Sequence, residues 1–254
     1  LVCATTPKSV PVLRDLLEES KDPKNSIRVV QGSTMENAAN LSASYMNVIL
    51  GTYEGTSLAK QELLGEMLDE DPEGVLWTPE MVNQANLTVL DPSAFYNPLR
   101  IIAVDPSVAE EPDDECGIIA FTASQERAIH QRRGAVLGDY SLKASPEVWA
   151  REVVRVYHLH KARGVLVEGN QGRHLLQMAI HSVDPTVKVF TVNAHTSKKD
   201  RALPVSLVYQ QGRVSHARAA TPLTLLETQQ TTWEPGVTRK SPDRVDALVH
   251  AVTG

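Results

Sequence analysis

Between residues 99 and 252, apolar segments follow an order that few folds can accept: three strands, then helix, strand, helix, strand, helix. Residues 99–104 are a continuous apolar run that stops at Asp105-Pro106-Ser107. Residues 116–121 and 127–137 read as the second and third strands, with a turn between them. Ser145-Pro146-Glu147 marks a helix start, with Ser at the N-cap, Pro at the first helical position and an acid in the first turn. Residues 164–167 form a fourth strand that ends at Glu168, and a helix follows over 172–181. Residues 187–192 give a fifth strand, 198–210 a helix stopped by Gly212, and 222–230 and 241–252 the last two helices. Three consecutive strands pair as an antiparallel meander, and later strand–helix units add parallel strands. The expected fold is therefore α/β, with a mixed sheet of three antiparallel strands and then parallel strands, and helices on both faces. This is the order of elements in the RNase H fold.

The first 98 residues are patterned differently. Residues 1–4 and 27–30 read as short strands, and 9–19 as a helix with Val12, Leu13, Leu16 and Leu17 at helical spacing. Asn40-Leu41-Ser42 opens a helix through Leu50 that Gly51 closes, and 57–68 reads as another. Residues 69–74 are acidic and turn-rich, and Pro72, Pro79, Pro92 and Pro98 follow. The expected division is a first domain over 1–72, a linker over 73–98 and a second domain over 99–254. The opening residues carry no basic stretch before an apolar run and read as a strand entered mid-fold, so the chain is expected to be a fragment.

Charge sharpens this division. The net charge of -6 argues against a nucleic-acid partner. Yet residues 1–98 carry 6 Lys/Arg against 14 Asp/Glu, whereas residues 99–254 carry 19 against 17 and all eight histidines. The second part is thus permissive for DNA, more so if some of its acids bind metal. Cys3 and Cys116 offer neither a disulfide framework nor a zinc spacing, which suits a reducing compartment. No apolar run approaches the ~18 residues of a membrane span.

Three acidic features share one logic. Asp105 ends the first strand, Glu168 ends the fourth, and Asp243 and Asp246 sit three apart at the start of the last helix, on one face. Ligands of open α/β sheets gather beyond the strand carboxyl ends. In the RNase H order the first and fourth strands are neighbours, so Asp105 and Glu168 meet there. Carboxylates that close repel one another unless a cation lies between them. Oxygen-only ligands suit Mg2+ or Mn2+ and not zinc, and two such ions can activate a water and stabilise the leaving oxygen of a phosphodiester.

Each residue also has a plainer reading. Asp105 before Pro106 fits an ordinary turn, and Asp243 fits a first-turn acid. Asp246 has Arg239 and Arg244 as alternative partners. Glu168 continues a buried strand and needs a partner in either case. The convergence of all four favours chemistry. Glu168-Gly169-Asn170-Gln171-Gly172 is a weak candidate for a phosphate cradle. Lys198, Lys199 and Arg201 suit either a DNA backbone or a solvated face. His216 and His250 read as structural, and Trp149 and Trp233 as packing. No Gly-x-x-x-x-Gly-Lys-Ser/Thr occurs, so no independent ATPase site is encoded.

Several motifs together resemble the nuclease of tailed-bacteriophage large terminase subunits: Val104-Asp105-Pro106-Ser107, Asp114-Glu115-Cys116-Gly117-Ile118, Val167-Glu168-Gly169-Asn170-Gln171-Gly172, and the run from Ser241 to Val249 that holds Asp243 and Asp246. Upstream, Thr5-Thr6-Pro7, Gly32-Ser33-Thr34-Met35-Glu36-Asn37, Tyr53-Glu54-Gly55-Thr56 and Gln61-Glu62-Leu63 resemble the coupling segment, end and lid of the terminase ATPase. The resemblance implies a truncated RecA-like ATPase end followed by an RNase H-like endonuclease that cuts concatemeric double-stranded viral DNA during packaging. It implies Asp105, Glu168 and Asp243 as the main metal ligands, Asp246 as a further acid, Asp114 as support for a second metal, and Lys198 and Arg201 as DNA contacts. Mg2+ or Mn2+ would be the cofactor at a two-metal site, and ATP would belong to the full-length protein. Double-stranded DNA, the portal protein and the small terminase subunit would be the partners, in the host cytoplasm and transiently at the procapsid portal. The rival readings are another RNase H-type nuclease, such as a junction resolvase or transposase, and a non-catalytic DNA-binding or docking module.

Overall fold

The structure, a computed structural model, describes residues 2–8, 10–67, 74–90, 98–106, 115–126, 128–169, 173–192, 196–216, 219–238 and 242–254. The chain divides into two compact units, Leu1–Glu73 and Gly74–Gly254.

In the first unit, helices α1 (Pro11–Glu19), α2 (Ala43–Tyr53) and α3 (Ala59–Leu64) are joined by loops and a 3-10 turn at Ala38–Asn40. Ser42 caps α2 by accepting the Tyr45 N–H, and α2 runs through Gly51 instead of ending there. Gly65 closes α3 in the left-handed region, at φ 64°. The two strands expected at residues 1–4 and 27–30 do not form: among the described residues neither stretch has a ladder partner. Val2 and Val30 lie almost fully exposed. A strand needs a neighbour for its N–H and C=O groups, which local composition does not supply.

The second unit contains α4 (Pro79–Leu87), β1 (Leu99–Asp105), β2 (Gly117–Ala123), β3 (Gly134–Asp139), α5 (Pro146–Leu159), β4 (Gly164–Glu168), α6 (Arg173–Val183), β5 (Val189–Val192), α7 (Lys198–Gln210), β6 (Val214–Ser215), α8 (Thr224–Thr232) and α9 (Asp243–Thr253). The sheet order is β5-β4-β1-β2-β3-β6. β1, β2 and β3 pair antiparallel, while β4 joins β1, β5 joins β4 and β6 joins β3 in parallel. The RNase H-like mixed sheet is therefore present, with one further two-residue strand.

The strands read as continuously apolar because both faces are covered, and alternate residues serve different layers. Ile101, Ala103, Ile119, Phe121 and Leu166 face a layer formed by α4, α7, α8 and α9. Ile102, Val104, Ile118, Ala120, Val165 and Val167 face α5 and α6, around the fully buried Trp149. Trp233 packs in the first layer. The linker expected over 73–98 is corrected here: Leu76, Trp77, Met81, Val82 and Ala85 are core residues of the second unit. Thr78 caps α4 and Pro79 occupies its first turn, so this proline starts a helix where a linker was expected.

Candidate active site

The register of the sheet sets the positions of the acids. Val104 stands opposite Val167 on parallel β4, which brings Asp105 and Glu168 side by side at the carboxyl edge. Adjacent strands lie about 4.8 Å apart. On the other side of β1, Asp105 stands opposite Gly117 of β2. The start of α9 lies directly on Gly117: a Cβ there would come within 2.1 Å of the Asp243 carbonyl oxygen. Asp243 and Asp246, both buried, thus reach the edge from the far side of Asp105. The four acids inferred from sequence converge. Asp114 lies outside the described residues, as does most of the glycine-containing loop after Glu168.

Electrostatics reports the same convergence. Burial pushes the Asp105 carboxyl well above its usual range, and the negative charges of Asp246, Glu168 and Asp243 push it further, against an opposing pull from Lys198. Glu168 behaves oppositely. The His250 imidazole 2.9 Å away and the Arg201 guanidinium 3.4 Å away hold it at about 2, despite burial. Lys198 donates to Asp246. Burial of Lys198 works to lower its pKa, but Asp246, Asp105 and Asp243 outweigh this and raise it. Asp243 accepts the backbone N–H of Glu115 at 3.2 Å.

Lys198 and Arg201, expected to touch DNA, therefore lie in the first turn of α7 with their charges on Asp246 and Glu168. Arg244, one of the alternative partners of Asp246, pairs with Glu115 and Asp139; Arg239 lies outside the described residues. His216 is structural, set between Tyr209 and Glu227. His250 is not merely so, because its ring bonds a site carboxylate. The signal was its spacing: residues 243, 246 and 250 share one face of a helix.

The donor set is hard oxygen, and one member, Asp105, is disfavoured as an anion until positive charge arrives. Both features fit Mg2+ or Mn2+. Among the described residues no three acidic, His or Cys side chains already stand as a chelating group. Lys198, Arg201 and His250 engage the carboxylates instead.

Residues 102–253 match the family described as Terminase RNaseH-like domain. The chain belongs to that family. Solved structures of one phage large terminase agree in fold. The large terminase of a thermophilic bacteriophage is 12% identical, with a TM-score of 0.59 over 86% of this chain and 53% of that one. The same protein in complex with ATP-gamma-S gives 11%, 0.58, 86% and 54%. The nuclease domain of the large terminase subunit gp2 of bacterial virus Sf6 gives 12%, 0.48, 70% and 98%. The chain thus spans about half the length of the thermophilic phage's large terminase. No curated protein matches in sequence. Among the described residues of this terminase-family chain, no helix is long and apolar enough to cross a membrane.

Proposed function

We propose that residues 74–254 are the divalent-metal-dependent endonuclease of a viral large terminase, acting on concatemeric double-stranded DNA during genome packaging. The observation that carries this reading is the meeting of acids from two adjacent strand ends and one helix turn around Asp105. Asp105, Glu168 and Asp243 would hold Mg2+ or Mn2+, with Asp246 beside them and Asp114 as a further candidate. Bound metal supplies an activated water and charge stabilisation for the leaving oxygen. His250 and Arg201 fix the direction of Glu168, and Lys198 does so for Asp246. With the carboxylates engaged by metal, Lys198 and Arg201 would meet the DNA backbone. Contacts of this kind read no sequence.

Residues 1–72 we assign to the end and lid of an ATPase domain, on the motifs quoted above. The phosphate-cradling loop and its lysine are not among these 254 residues, so ATP turnover is not expected of them. The portal protein and small terminase subunit would be partners of the whole protein in the host cytoplasm.

The test is plasmid cleavage with Mn2+, Mg2+ or EDTA. Cleavage with either metal, abolished by EDTA and by Asp105→Asn or Glu168→Gln, is the expected result. Cleavage that survives EDTA or both substitutions overturns the assignment.

A further inference from the structure

Helix α9 brings two acids to the site, yet its own sequence does little to fix its start. Its N-cap is Pro242, which supplies no side-chain cap. The restraints come from elsewhere in the fold. Gln229 of α8 accepts the Arg244 N–H at 3.1 Å, and the Glu115 N–H meets Asp243. The third restraint is Arg244 itself, only 5% exposed. Its Nε donates to Glu115 at 2.9 Å, one terminal nitrogen donates to Asp139, and the other reaches the Ser141 carbonyl at 3.5 Å. Asp139 is held in turn. Its Oδ1 accepts from the Ser141 N–H at 3.0 Å and the Ser141 hydroxyl at 2.6 Å, and that hydroxyl accepts the Ile118 N–H at 2.9 Å.

We propose that Arg244 is a positioning residue: by clamping the first turn of α9 to the ends of β2 and β3, it aims the Asp243 and Asp246 carboxylates at Asp105. This rests on the metal-nuclease reading above. The guanidinium donates to Glu115, Asp139 and Ser141, which lie at the start of β2 and the end of β3. A buried ion cluster is a poor source of stability, because desolvation offsets the attraction and apolar replacements often do as well. It is a good source of geometry, because the planar fork accepts its partners in one arrangement only. Arg244 lies between Asp243 and Asp246 in sequence, so a rotation of this turn moves both.

The experiment uses the full chain and reads two quantities: Mn2+ affinity by titration calorimetry, and the urea midpoint in metal-free buffer. Arg244→Met should weaken Mn2+ binding about 10–100-fold, the usual cost of losing a group that orients metal ligands. It should also lower the midpoint, because Asp139 is left charged and buried. Arg244→Met combined with Asp139→Asn removes that orphaned charge. The double variant should regain most of the midpoint while its Mn2+ affinity stays low, a separation that a purely structural arginine does not produce. Recovery of Mn2+ affinity together with the midpoint overturns the proposal, as does an unchanged affinity in Arg244→Met. A wild-type chain that neither binds Mn2+ nor cuts DNA overturns the nuclease reading and this proposal with it. A wild-type chain that does both, beside a double variant that binds Mn2+ normally, overturns the proposal alone.

Discussion

Replacing Gly117 by Ala adds one methyl group at the tightest contact of the site. Gly117 lies opposite Asp105 in the β1–β2 ladder and beneath the first turn of α9. The new Cβ would stand 2.1 Å from the Asp243 carbonyl oxygen, 2.7 Å from its carbon and 3.1 Å from the Ala247 Cβ. A relaxed C···O contact is about 3.3 Å, so the helix start has to retreat by roughly 1.2 Å. The obstructing atoms are mainly backbone, with no flexible side-chain end that can swing away. Overpacking of this kind costs about 1–3 kcal/mol, and the stiffer unfolded chain returns about 0.4–1 kcal/mol. The net loss, at most about 2.6 kcal/mol, is small beside a domain stability of about 5–15 kcal/mol, so the variant should remain folded. Chemistry is less tolerant: a displacement of about 1 Å can cost about 100-fold in rate. Plasmid cleavage with Mn2+, set beside a urea titration of the same preparation, measures both. A folded Gly117→Ala chain that cleaves like the wild type would refute the placement of Asp243 over the end of β2.

Asp105→Asn should abolish cleavage yet raise stability in EDTA at neutral pH. The folded state raises the pKa of this carboxyl, so its stabilising effect is present at low pH and is lost as pH rises through the raised value; urea midpoints of the two chains should therefore diverge as pH increases. Glu168 has the opposite sign: held at about 2 instead of 4.5, it contributes stability above its ordinary value that disappears as pH falls toward about 2. His250→Ala should reduce this acid-side slope, and an unchanged acid titration would count against the His250–Glu168 bond. A chain beginning at Gly74 should melt cooperatively, whereas one beginning at Pro98 loses Trp77 and the rest of α4; Trp77→Ala alone should cost about 3–5 kcal/mol by calorimetry. Lys198→Ala with Arg201→Ala should flatten the log–log salt dependence of DNA binding by up to about 1.8, from two lost phosphate contacts, and an unaltered slope returns both residues to the role of carboxylate partners.

Strand and helix identity in the nuclease half is readable because it is set by near neighbours. A continuous apolar run, helical spacing, a cap, a proline and a stopping glycine mark most elements within a few positions of their observed ends. The sites of Asp105 and Glu168 follow from the same reading, since an acid that ends an apolar strand is a local feature. Thr78-Pro79-Glu80 repeats the start signal of Ser145-Pro146-Glu147, so α4 is also legible, but the density of prolines around it masks that signal and favours a linker. Two-residue β6 has no local signal, because it exists only as a partner of β3. The strands expected near Val2 and Val30 fail for the complementary reason, a suitable composition with no neighbouring ladder.

The pairing of charges at the site was decided by tertiary structure alone. Lys198 meets Asp246 across 48 residues, His250 meets Glu168 across 82, and Arg244 meets Glu115 across 129. Each of these cations has other acids nearer in sequence. Electrostatic energy depends on separation and local dielectric, and both are set when β1 registers against β4 and α9 docks on Gly117. The sequence determines by itself that acids will gather at the carboxyl edge of this sheet, because strand ends and one helix face are local properties. Which cation holds which carboxylate is decided only after packing, because that choice turns on ångström distances between segments far apart in the chain.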